Sequence, residues 1–260
     1  MKNLFLLLSV LLTFAACKND AAKTTTATTP SVDMTKYPEA LQKVFTKHGG
    51  LDTWNKMRAL SFEIVKEDGN EKTEVDLRDR RERIEAPDFK MGYDGTNFWI
   101  EADTSFKRSP VFYKNLMFYF YAMPFVVADD GIVYGKTEPL EFEGKTYPGV
   151  RISYNDGVGV SSKDEYFVYY DPATFEMAWL AYTVTYFTNE KSSKLGWIRY
   201  NDWKTVNGLV LPNSLTWYKS EEGKPTEVRN TREFAKVTVA EKAFDDVVFA
   251  KTEAAEIVKQ

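Results

Sequence analysis

Met91-Gly92-Tyr93-Asp94-Gly95-Thr96-Asn97-Phe98-Trp99-Ile100 reads as two short strands folded back about an Asp-Gly turn. Asp-Gly between apolar runs is strong hairpin chemistry, because glycine accepts the positive φ that a tight turn needs. Working outward, the same period-two texture recurs. Residues 61–66 begin a strand, Glu67-Asp68-Gly69-Asn70 is a turn, and 71–85 returns as one long, heavily charged strand. Further strands are predicted at 140–142, 150–154, 165–170, 176–187, 196–203, 209–218 and 228–239. Asp171-Pro172-Ala173-Thr174 and Asn207-Gly208 supply turn chemistry between them. About ten strands joined by short turns predict a mainly β (α+β) fold. The expected architecture is a curled antiparallel half-barrel with an N-terminal helix and an aromatic helix over its concave face.

The N-terminal helix is expected over 35–48, with Pro38 in its first turn, Leu41, Val44 and Phe45 as its apolar stripe, and Gly49-Gly50 closing it. A second helical turn at 52–57 carries Trp54. The aromatic helix opens at Ser109-Pro110 and runs to about 127. Between residues 111 and 128 only Lys114 and Asn115 are plainly polar, so a helix there is apolar on nearly every face and buried on most sides. Lys114, Asn115 and Pro124 interrupt it as a membrane span, and its tyrosines would need partners in hydrocarbon. It either plugs the open side of the sheet or lines an apolar cavity against it. In the second case Phe112, Leu116, Tyr119, Phe120 and Met123 are the wall residues and bind the ligand.

At the start of the chain, Lys2 precedes an apolar run from Leu4 to Phe14 and a small-residue site, Ala15-Ala16, before Cys17. That order predicts a secretion signal over 1–16, too short to span a membrane. Cys17 is the single cysteine, so no disulfide forms and a zinc site built from cysteines is excluded. Residues 17–35 are a tether poor in apolar side chains, 36–250 one domain, and 251–260 a C-terminal tail. Without residues 1–16 the chain carries 33 basic and 38 acidic side chains. That balance argues against nucleic acid, whose binding rests on phosphate neutralisation.

Catalytic machinery is sparse. His48 is the single histidine, placed where a helix C-terminus favours its positive charge, and a histidine-rich metal site is excluded by count. No cofactor is implied. Among the carboxylates, Glu63, Asp76, Glu101 and Asp103 are candidates for paired acid–base work, with nothing to single out a pair. Gly157-Val158-Gly159 lacks the lysine of a phosphate loop. The alternating run Arg78-Asp79-Arg80-Arg81-Glu82-Arg83 reads as cross-strand pairing and edge protection, or else as a cationic rim for lipid headgroups.

Three segments resemble exported lipoproteins related to the outer-membrane lipoprotein carrier group (LolA-like). These are Lys47-His48-Gly49-Gly50 with Trp54 and Leu60-Ser61-Phe62, then 169–174, then 200–212. Phe14-Ala15-Ala16-Cys17 similarly resembles a lipobox, where the usual residue at the first position is leucine. The resemblance implies a half-barrel around helices with a cavity for acyl chains. It also implies a lipidated Cys17 that anchors the chain to a membrane, most naturally the outer membrane. The expected function is then binding or handing on a lipid, a lipoprotein acyl chain or another amphiphile, without catalysis. Two other readings stay open: an envelope interaction or sensor module with a solid core, and a hydrolase of envelope polymers.

Overall fold

The computed structural model describes residues 31–103, 106–107, 109–114, 116–155 and 161–258. The signal segment, Cys17, most of the tether and Gly157-Val158-Gly159 lie outside them. After a 3-10 turn at Met34–Lys36, helix α1 (Glu39–Lys47) buries Leu41, Val44 and Phe45, the stripe set by the 3.6-residue period. Gly49 and Gly50, both at positive φ, turn the chain into α2 (Leu51–Lys56). Gly49 is required twice over, since a Cβ there would sit 2.2 Å from the Gly208 carbonyl oxygen.

Five strands follow as a meander: β1 (Ala59–Ile64), β2 (Glu71–Asp76), β3 (Glu82–Ala86), β4 (Phe89–Tyr93) and β5 (Phe98–Ala102). The opening hairpin is β4–β5, closed by Tyr93 opposite Phe98 with the Asp94 carboxylate accepting the Thr96 and Asn97 amides. The single strand expected at 71–85 is two strands. The Asp76 carboxylate accepts from the Arg78 and Asp79 amides, and Asp79 accepts from Arg81, so short acidic side chains draw the backbone into a turn.

The chain then crosses the sheet in three short pieces: α3 (Pro110–Tyr113), α4 (Leu116–Tyr121) and a 3-10 turn at Phe125–Ala128. The one continuous helix expected there does not form. Lys114 leaves helical geometry at ψ 140°, and Pro124 has no N–H to extend a helix and disfavours helical geometry before it.

Twelve more strands complete the domain. They are β6 (Ile132–Lys136), β7 (Leu140–Phe142), β8 (Lys145–Tyr147), β9 (Gly149–Tyr154), β10 (Tyr166–Tyr170) and β11 (Met177–Tyr182). After these come β12 (Gly196–Arg199), β13 (Trp203–Val206), β14 (Leu209–Pro212), β15 (Ser214–Glu221), β16 (Lys224–Ala240) and β17 (Glu256–Val258). Thirteen of the seventeen strands form one open antiparallel sheet in the order β17-β5-β4-β3-β2-β1-β16-β15-β12-β11-β10-β9-β6, more than the ten expected because tight turns divide the longer runs. Asn207-Gly208, at φ +49° and +83°, is the two-residue turn of the β13–β14 hairpin. Residues 251–260, expected as a tail, contribute β17, which pairs with β5.

The strand order explains the helices. The meander β1–β5 runs from the middle of the sheet to one end, whereas β6 lies at the other end. The connection between them therefore has to traverse the sheet, and its described residues 116–128 are apolar and pack on the core of the concave face. The result is an open half-barrel with helices over its inner face, the architecture the sequence predicts. The central core joins α1, α2 and the crossing segment to the inner faces of β1, β9–β12 and β16. Trp54 stacks on Phe125 at 4.7 Å, and Phe62 on Tyr121 at 4.3 Å.

Candidate functional site

A cavity of about 330 Å³ lies between the crossing segment and the sheet, at the lower end of the range for small-molecule sites. One wall comes from the crossing segment: Phe112, Lys114, Leu116, Tyr119, Phe120 and Val126. Asp129 and Asp130 follow at its end. The opposite wall comes from the sheet, through Tyr154 of β9, Tyr166 of β10 and Tyr182 of β11, with Ser161, Asp164, Thr183 and Val184 at the strand ends.

Four of the five residues expected on the wall stand there: Phe112, Leu116, Tyr119 and Phe120. Met123 does not. It is fully buried in the central core, because the break at Pro124 turns it away from the α4 face that lines the hollow. The sheet tyrosines were not singled out from sequence, although a signal existed. Tyr154 falls two and four residues after Ile152 and Val150, so the period of two puts it on the same inward face. Tyr166 pairs directly with Tyr182 across β10–β11, which brings the two rings to 6.4 Å.

Electrostatically the cavity is tyrosine-rich and acid-rimmed. Burial raises the hydroxyl pKa of Tyr119, Tyr154, Tyr166 and Tyr182, so all four stay neutral. Burial also pushes the Asp129 carboxyl up, against the pull of Arg80, whose Nη2 donates to both of its oxygens at 2.8 and 2.9 Å. Asp164 is raised by burial as well, and accepts the Thr185 amide at 2.6 Å. Lys114 is lowered by burial and faces Glu82.

Beside the cavity stands an aromatic lip. Phe112 packs 4.9 Å from both Tyr186 and Phe187, and Phe187 is 72 % exposed. Val184, on the cavity wall, is 45 % exposed.

The other candidates have structural partners. His48 is fully buried: its Nδ1–H donates to the Val210 carbonyl at 3.0 Å, and its Nε2 accepts the Met177 amide at 3.1 Å. Both partners have fixed roles, which sets the neutral tautomer, and burial lowers its pKa to about 4. The expectation of a charged histidine complementing the helix end is therefore corrected, because desolvation outweighs the dipole. Glu63 pairs with Lys236 and Asn70, and Asp76 is enclosed by Arg58, Arg81 and two backbone amides. Glu101 accepts from Thr252 and lies 3.8 Å from Lys90. The run 78–83 is mostly turn, with Arg81 bound to Asp79 and Asp246, Arg80 to Asp129 and Arg83 to Glu85. Arg80, Arg81 and Arg83 are held by acids of this chain and Arg78 donates to the Asn55 carbonyl at 3.3 Å, so the run is not arrayed as a cationic rim. Among the described residues no group of three or more metal-ligating side chains occurs, and no helix is long and apolar enough to cross a membrane.

Fold and site together define an open antiparallel half-barrel with a cavity under a crossing aromatic segment. The chain belongs to a family of unknown function, DUF6503, whose model matches residues 100–242 and so takes in the crossing segment and the cavity-bearing strands. No curated protein matches the sequence. Similar solved structures include a LolA superfamily protein from Nitrosomonas europaea, at 10% identity and TM-score 0.47, covering 81% of this chain and 97% of that one. A DUF1329 family protein from Desulfovibrio piger has 10% identity and TM-score 0.46, covering 82% and 98%.

Proposed function

We propose that the protein holds the apolar tail of a lipid, a lipoprotein acyl chain or another amphiphile in this cavity, at the cell envelope and without catalysis. The observation that carries the reading is a hollow under α3 and α4 walled by Phe112, Leu116, Tyr119 and Phe120. Such a wall offers apolar contact along the tail, at about 0.8 kcal/mol per buried methylene. The lip at Phe187 and Val184 gives the tail an apolar path out of a membrane surface, where aromatic side chains are favoured. Lipidation at Cys17 is part of the same proposal, since acyl chains there would hold the domain at the outer membrane for receiving or presenting cargo.

Native mass spectrometry of detergent-free protein, with uptake of a fluorescent fatty-acyl probe, tests the binding. Co-purified lipid or saturable uptake supports it; neither would sink it. A Cys17→Ala protein should lose its partition with membranes, and retention would overturn the anchor alone. The filled core around residues 121–127 favours a second reading, a solid interaction module, which predicts no uptake.

A further inference from the structure

The cavity carries a second chemistry beside its apolar wall. Tyr154 and Tyr166 meet at 6.1 Å with their rings nearly perpendicular, and Tyr182 stacks beyond Tyr166 at 6.4 Å. Tyr119 faces them from the crossing segment, the charge of Asp164 reaches both rings, and that of Asp129 reaches Tyr154. Tyr154 and Tyr166 are both partly buried on the cavity wall.

The charges at this end are unequal. Arg80 occupies Asp129, and Lys114 is directed at Glu82 and over the Tyr93 ring at 5.0 Å. Asp130 and Asp164 also line the cavity, and neither forms an ion pair among the described residues. Tyrosine faces attract cations through their quadrupole, and more strongly when desolvated. Carboxylates beside them add an attraction that an anionic headgroup would meet as repulsion.

We infer that the site selects an amphiphile with a cationic, alkylammonium-type head, held among Tyr119, Tyr154, Tyr166 and Tyr182 and faced by Asp164 and Asp130. This rests on the reading of the cavity as a tail-binding site.

Three ligands sharing one dodecyl tail test it by calorimetric titration below their micellar concentrations: dodecyltrimethylammonium, dodecyl maltoside and dodecanoate. The cation should bind at least tenfold tighter than dodecanoate at pH 7 and low salt. Asp164→Asn, whose amide oxygen can still accept from Thr185, and Tyr166→Leu should each shrink that ratio to below about threefold. Because a ratio is read, a general loss of affinity does not mimic the effect. Dodecanoate binding as well as the cation, or a ratio unchanged in both variants, overturns the headgroup assignment while leaving tail binding intact. Failure of all three ligands to bind overturns the tail-binding reading and the headgroup assignment with it.

Discussion

The two halves of the crossing segment share a composition and differ in what lies behind them. Residues 121–127 are buried throughout and, apart from Val126 at the cavity wall, close-packed: Tyr121 lies between Phe62 and Phe234, and Phe125 lies flat on Trp54. Residues 112–120 are equally aromatic, yet Phe112, Leu116, Tyr119 and Phe120 face a hollow. The difference comes from the opposite wall. Behind the first group stand α1, α2 and the large side chains of β1 and β16, which reach the segment. Behind the second group the sheet presents Tyr154, Tyr166 and Tyr182 of β9–β11, which stand around open volume. An aromatic run therefore predicts burial, not whether the buried face is full.

Truncation should separate the halves most strongly. Phe125→Ala removes a close-packed ring and should cost about 3–5 kcal/mol of unfolding free energy, whereas Leu116→Ala, already beside empty space, should cost about 1 kcal/mol or less in the same urea titration. Equal losses would mean that the hollow is not there.

Acid should act next, and through the filled side. His48 packs 4.3 Å from Trp203 and is held neutral in the fold. Its pKa falls from 6.5 to about 4 on folding, so below 6.5 the unfolded chain binds the proton that the folded chain refuses. The stabilisation is present above pH 6.5 and is lost as pH falls toward 4, by about 3 kcal/mol. Two-dimensional NMR of this lone imidazole, with stability measured at pH 7 and 4.5, checks it. A His48 that titrates near 6.5 would contradict the buried tautomer.

Enlargement reverses the order of tolerance. Ala122→Leu on the filled side should lose about 1–3 kcal/mol through overpacking. Leu116→Phe should leave the melting temperature within a few degrees and lower acyl-probe affinity at least fivefold by filling the hollow. The smallest effect belongs to the lip. Phe187→Ser should change stability by no more than about 0.5 kcal/mol and slow probe transfer from vesicles, read by stopped-flow fluorescence; unchanged transfer would remove the lip from the pathway.

Much of the fold was legible because its signals are local. The Asp94-Gly95 and Asn207-Gly208 turns, the stripe on α1 and the alternation of β9 and β10 each rest on a few neighbouring residues. Breaks set by side chains were harder to read. Asp76 accepting the amides of its own turn splits one expected strand into two, and Pro124 turns Met123 out of the expected cavity wall. Four wall residues were readable from the aromatic run, while the sheet tyrosines were visible only as members of an inward face.

By itself the sequence determined a turn-rich antiparallel sheet and an aromatic segment that has to be covered. Only the tertiary structure decided that one half of this segment closes a core and the other half roofs a cavity. Composition states how much apolar surface must leave water, because burial sums over side chains wherever they lie. Whether space remains depends on how walls distant in the chain meet, and that is a property of the folded arrangement alone.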